Sequence, residues 1–126
     1  MKYLSLTTTD DDLISFIDGW AGLLERGDYD AAFSYTDHIP EMGWSATLIR
    51  EVIKAYGEAS SDQCVTVQGR PTDVTQRKVV DWWSTGLGQV WYDLNINGKV
   101  SDLTATFDLE RTNQGLIIKL NDIHVM

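Results

Sequence analysis

Two short polar pairs carry the residue types that general acid–base chemistry uses. Near the C-terminus, Asp122-Ile123-His124 sets a carboxylate and an imidazole two residues apart. On a strand that spacing points both side chains to one face. A carboxylate so placed can orient the ring and leave its other nitrogen as a general base. The face depends on one position. Leu116, Ile118 and Leu120 are apolar at even numbers, Ile123 and Val125 at odd ones. A β-bulge near Asn121 reconciles the two sets and turns Asp122 and His124 outward. An unbroken strand points them inward, Asp122 opposite Leu103 and His124 opposite Ser101. The second pair is Asp37-His38, with Tyr35 close by: a carboxylate or imidazole to take a proton and a phenol to donate a hydrogen bond. Its alternative is a solvated loop in which Asp37 caps the segment before Pro40.

Metal and cofactor chemistry find little support. His38 and His124 are the only histidines and Cys64 the only cysteine, so an internal disulfide and a cysteine-based zinc site are excluded. No H-x-x-H spacing occurs. Gly86 and Gly88 flank Leu87 with no helix expected after them, so they form no phosphate loop. Neither a metal nor a cofactor is expected.

Another set of residues suits recognition. Trp82 and Trp83 must face opposite sides of any strand, and Trp91 falls on the side opposite Tyr92. An outward Trp91 beside Asp93, Thr104, Thr106 and Asp108 has the composition of an interface anchor. A homodimer, or cover by the N-terminal segment, is the alternative reading. Asp28, Asp30, Asp37 and Glu41 gather around one short predicted helix with only Arg26 to offset them. An acidic edge of this kind steers basic partners, with salt-sensitive association. The plainer reading of any such edge is a solvated face.

The elements that would position these residues follow from periodicity. The 126 residues, 43% hydrophobic and 23% charged, suit one domain with a real core. Leu13, Phe16, Ile17, Trp20 and Leu24 form an apolar stripe of helical period between Thr9 or Asp10 as cap and Gly27 as stop. Asp10, Asp11 and Asp12 lie where a helix N-terminus favours negative charge. Gly19 and Gly22 within the stripe imply close packing. Asp28–Tyr35 makes a second helix. A third, capped by Ser45, buries Leu48, Ile49, Val52, Ile53 and Tyr56 and ends at Gly57, with a polar loop over Glu58–Gln63.

From Cys64 the period changes to two. Cys64–Gln68 and about Val74–Trp83 are expected as strands around a Gly69-Arg70-Pro71 turn. Val90, Tyr92, Leu94 and Ile96 alternate with polar or outward residues up to Asn97-Gly98, a type I′ hairpin turn. Its closure pairs Ile96 with Lys99, Tyr92 with Leu103 and Val90 with Ala105. A second hairpin turns at Arg111–Gln114, pairing Glu110 with Gly115, Leu109 with Leu116, Phe107 with Ile118 and Ala105 with Leu120. The sum is α+β: three helices, then a bent antiparallel sheet of four to six strands.

The stretch Phe16–Phe33, with its Gly27-Asp28-Tyr29-Asp30-Ala31-Ala32 turn, resembles the first two helices of the nuclear transport factor 2-like superfamily, also called cystatin-like or SnoaL-like. The runs Asp102–Leu109, Leu116–Leu120 and Asp122–Val125 are similar to its last two strands. The resemblance implies a cone, with helices in the concave face of a curved sheet. Members include isomerases, dehydratases, cyclases, transport adaptors and bacterial immunity proteins, and the fold does not choose among them.

Charge narrows the choice. Nineteen acidic against ten basic residues give −9, and residues 1–40 alone carry eight acidic against two basic. Such a chain repels phosphate backbones, so nucleic acid is an unexpected partner. No apolar run reaches a membrane span, and Met1–Thr7 is too short and polar for a signal peptide; a cytoplasmic setting is the expectation. The favoured function is a non-catalytic module that binds a basic protein such as a toxin domain. The alternative is a small cofactor-independent isomerase, dehydratase or cyclase using the cone pocket.

Overall fold

A computed structural model describes residues 3–56, 63–70 and 75–125. Among the described residues three α-helices pack with a strongly curled sheet, an α+β arrangement. The sheet is mixed and not wholly antiparallel as expected, because a short parallel strand enters it between the second and third helices. Helix α1 (Asp10–Glu25) opens with a capping box: Thr9 accepts from the Asp12 amide while the Asp12 carboxylate accepts from the Thr9 amide. Its apolar stripe puts Leu13, Ile17, Trp20, Ala21 and Leu24 into the core. Gly27, at φ +73°, ends the turn. Asp28 then caps α2 (Tyr29–Tyr35) through the Ala31 amide, and Ser45 caps α3 (Ala46–Lys54) through the Leu48 amide. Gly57 and residues 58–62 lie outside the described residues.

Among the described residues the strands are β1 (Asp37–His38), β2 (Val65–Thr66), β3 (Lys78–Trp82), β4 (Leu87–Ile96), β5 (Lys99–Thr112) and β6 (Gly115–Val125). They form one sheet in the order β1-β6-β5-β4-β2, with β3 also on β4 and the long β4, β5 and β6 at its centre. Asn97 and Gly98 both take positive φ, as a type I′ turn requires, and Ile96 pairs with Lys99 as expected. Beyond that turn the register moves by two, because β5 spends extra residues between Val100 and Thr104 while β4 advances from Asn95 to Asp93. Tyr92 therefore meets Ala105, and Val90 meets Phe107. The second hairpin turns on Asn113-Gln114 alone, so Leu109 meets Ile118 and Phe107 meets Leu120. Both shifts keep parity, and the apolar sets stay on one face.

Two expectations are corrected. Cys64–Gln68 and the segment before Trp83 do not pair with each other. The short β2 (Val65–Thr66) and β3 (Lys78–Trp82) both lie against β4, at Asn95–Ile96 and Gly88–Tyr92 respectively. Pro71 and Val74 fall outside the described residues. Asp37-His38 is not a loop but β1, parallel to Lys119-Leu120 of β6.

The inner face of the sheet receives the helices. Trp20 meets the Phe107 ring edge-on at 5.0 Å, and Tyr92, Phe107, Leu109, Leu116 and Leu120 are fully buried with it. Each such side chain contributes about 1.5–3 kcal/mol relative to exposure. Of the two glycines expected to pack closely, only Gly19 does: a Cβ there would collide with the Tyr35 hydroxyl, whereas Gly22 has ordinary space beside Val67.

Candidate functional site

Strand alternation places Gln89, Trp91, Asp93 and Asn95 on the outer face of β4, and Thr104, Thr106 and Asp108 beside them on β5. On β6 the register skips Asn121, which is the bulge; Leu120 faces inward opposite Phe107, and Asp122 and His124 emerge outward opposite Thr106 and Thr104. Two cross-strand rows result. One runs Val79–Trp91–Thr106–Asp122, the other Asp93–Thr104–His124. Trp91, Asp93, Asp122 and His124, all singled out in the sequence, thus share one surface.

Asp122 and His124 lie 3.0 Å apart between Oδ2 and Nδ1, each about two-fifths exposed. The approach has an ion-pair distance without the alignment of a hydrogen bond. Asp122 Oδ1 instead accepts the Ile123 amide. The pair faces the outer surface, away from the helices and the filled interior.

Asp93 was expected to meet a partner, and here the structure corrects the sequence. Its side chain is 1% exposed and fully engaged. Oδ2 accepts from the Arg77 amide at 2.9 Å and Arg77 Nε at 3.0 Å; Oδ1 accepts from Arg77 Nη2 at 3.1 Å and the Thr104 hydroxyl at 2.7 Å. Burial alone would raise the carboxyl pKa, but the Arg77 and Thr104 hydrogen bonds outweigh it and hold it below the usual carboxylate range. Asp93 straps the approach to β3 onto β4 and is closed to any ligand.

Beside that strap lies an open groove of about 460 Å³, lined by Arg77, Val79, Val80, Asp81 and Trp91. Val79 is 48% exposed, and Trp83 at the end of β3 is 57% exposed. Trp82 turns the other way, its Nε1 donating to Asp10 at 3.0 Å and its ring stacked under the Arg111 guanidinium at 4.3 Å.

On the inner side, Tyr35, Thr36 and Asp37 line a cavity of about 20 Å³ with Leu4, Phe16 and Ile118. That volume admits one water molecule and no larger ligand. Thr36 Oγ1 and Asp37 Oδ2 are buried without a hydrogen-bond partner among the described residues. Burial raises the Tyr35 phenol pKa, and its ring stacks on Phe16 at 4.4 Å. His38 is separated from Asp37 by the strand's alternation: it stacks on Phe33 at 4.0 Å, with Nε2 2.5 Å from the Phe33 carbonyl oxygen. The anticipated Asp37–His38 couple is therefore split. Asp37 also leaves the acidic edge, since its carboxylate turns into the fold. Asp28, Asp30 and Glu41 remain exposed, Asp28 and Asp30 rimming an open depression with Arg50.

One cluster had no signal in the sequence. Tyr92 donates to Asp18 Oδ1 at 2.5 Å, Lys78 Nζ donates to the same oxygen at 2.9 Å, and the ammonium lies 5.2 Å from the Tyr92 ring centre. Burial, then the Asp18 carboxylate, raise the Tyr92 phenol pKa, which fixes it as a donor. The partners are 60 and 74 residues apart, beyond any spacing rule. Among the described residues no group of three or more His, Cys, Asp or Glu is placed to hold a metal, and no helix is long and apolar enough to cross a membrane.

The chain belongs to the family described as a domain of unknown function, DUF7668, whose model matches residues 21–126. That span takes in the end of α1, both other helices and every strand of the sheet. No curated protein and no solved structure matches the chain.

Proposed function

We propose that the chain is a non-catalytic protein-binding module of the nuclear transport factor 2-like cone type, and most concretely an immunity protein that neutralises a bacterial toxin in the cytoplasm. One observation supports this reading: Trp20, Tyr92 and Phe107 fill the interior between the helices and the sheet, and the cavity beside Asp37 holds only about 20 Å³, while Trp91 and an open groove lie on the outer face. Binding modules need displayed surface, and enzymes of small molecules need enclosed volume. The −9 charge selects a basic partner, which the exposed Asp28, Asp30, Glu41 and Asp81 attract at long range.

Affinity purification of the tagged chain from its own host tests the proposal. The expected result is a single basic protein in stoichiometric amount, released as ionic strength rises several-fold. Recovery of the chain alone, together with turnover of a small molecule by the pure protein, contradicts it.

A further inference from the structure

We propose that the β3–β4 groove receives an arginine side chain of the basic partner, its guanidinium lying on the Trp91 ring and pairing with Asp81. This rests on the protein-binding reading above and names the chemistry of its anchor. The groove has one aromatic wall, Trp91, and one aliphatic wall, Val79, directly opposite each other across the β3–β4 pair. Asp81 lies one step further along the same face of β3, diagonal to Trp91, a separation of about 7–8 Å that a long side chain spans.

Charge accounting around the ring favours a cation. Arg77 also lines the groove, but its guanidinium is spent on Asp93. Asp81 is exposed and has no ion pair among the described residues. Asp108, diagonal to Trp91 on β5, accepts from the neutral amides of Gln89 and Asn121, and its cross-strand neighbour Lys119 pairs with Glu110. Asp122, beyond Thr106 in the Trp91 row, faces His124. The half-buried indole thus has Asp81 and Asp108 at its diagonals, and among the described residues no cation lies over it. Elsewhere on these two strands the chain supplies such cations itself: Arg111 covers Trp82 and Lys78 covers Tyr92. Planar guanidinium suits this site better than ammonium, because it stacks on an indole and still directs N–H groups to a carboxylate at its edge.

The test uses the whole chain and an acetylated Gly-Arg-Gly amide as probe, with its citrulline and lysine counterparts. Indole N–H resonances are followed by NMR, Trp91 being assigned from Trp91→Phe. The arginine peptide is expected to shift the Trp91 resonance saturably, with affinity about five- to tenfold above the citrulline peptide. Asp81→Asn, checked for an unchanged spectrum elsewhere, is expected to remove most of that advantage. Equal binding of arginine and citrulline peptides, stronger binding of lysine, or full retention in Asp81→Asn overturns the proposal. The two readings fail separately. A basic partner captured equally by wild type and Asp81→Asn defeats the arginine groove alone. An arginine-specific groove in a chain that captures no protein defeats the partner assignment.

Discussion

Replacing Asp93 probes the feature that most shapes the outer face. The carboxylate is 1% exposed and accepts four hydrogen bonds, three from Arg77 and one from Thr104, which is itself fully buried. Asparagine keeps one carbonyl oxygen but sets an NH2 against donors. Thr104 can rotate to accept, and the half-exposed Arg77 guanidinium regains water, so the net loss is one to two charge-assisted bonds, about 2–3 kcal/mol. Alanine orphans the Thr104 hydroxyl and the Arg77 amide as well, and costs about 3–5 kcal/mol. For a domain of this size, 3 kcal/mol lowers Tm by about 10 °C.

The pH dependence follows from the depressed carboxyl pKa. A group held below its ordinary 3.8 stabilises the fold fully above that value and loses its contribution as pH falls through the lower folded value. Urea unfolding of wild type and Asp93→Asn between pH 7 and pH 2.5 measures both. The gap should be constant from pH 7 to about 5 and close below about pH 3.8. A gap under about 0.5 kcal/mol at pH 7, or one that persists unchanged at the acid end, refutes the strap.

Further outcomes follow from the core and the caps. Gly19→Ala should cost about 1–3 kcal/mol in wild type, because the new methyl displaces the stacked Tyr35 hydroxyl, and should cost less in Tyr35→Phe, where the hydroxyl is gone and the 3.3 Å approach to the ring Cζ is offset by the helix-propensity gain; equal effects in the two backgrounds in thermal melts contradict the contact. Trp20 buries an indole N–H without a partner among the described residues, so Trp20→Phe should cost under about 1.5 kcal/mol against about 3–5 for Trp20→Ala; equal costs in denaturant titrations refute that reading. Asp28→Ala should lose the α2 cap, about 1 kcal/mol, and circular dichroism melts that show no change would place the carboxylate's role elsewhere.

Much of this architecture was legible because it is local. Thr9, Asp28 and Ser45 announce three helix starts within a residue, and the Leu13–Leu24 stripe names the buried face of α1. The bulge at Asn121 was legible too, since parity changes between Leu120 and Ile123. Alternation has period two, however, and is blind to slips of two. The extra residues between Val100 and Thr104, and a turn closed by Asn113-Gln114 alone, moved both hairpins without moving any side chain to the other face. The turn signal at Gly69-Arg70-Pro71 misled because β4 is long enough to pair with β2 and β3 at different places. Asp93 read as an outward polar residue, which it is by alternation. Its burial depends on Arg77, 16 residues earlier, which no periodic pattern connects to it. Asp37 and His38 were grouped by adjacency, but strand β1 sends neighbours to opposite sides.

The claim that the outer face, and not the concave pocket, carries the function is tested most directly by growth rescue. The gene adjacent to this one in its own genome is expressed alone, with the wild-type chain, and with Trp91→Ala shown to be folded by its melting curve. The expected result is a toxic product, full rescue by wild type, and rescue weakened at least tenfold in the variant, as for loss of an interface anchor. A neighbouring product without toxicity, or toxicity that the wild-type chain leaves unrelieved, contradicts the immunity assignment. Rescue that Trp91→Ala delivers in full contradicts the outer face as its seat.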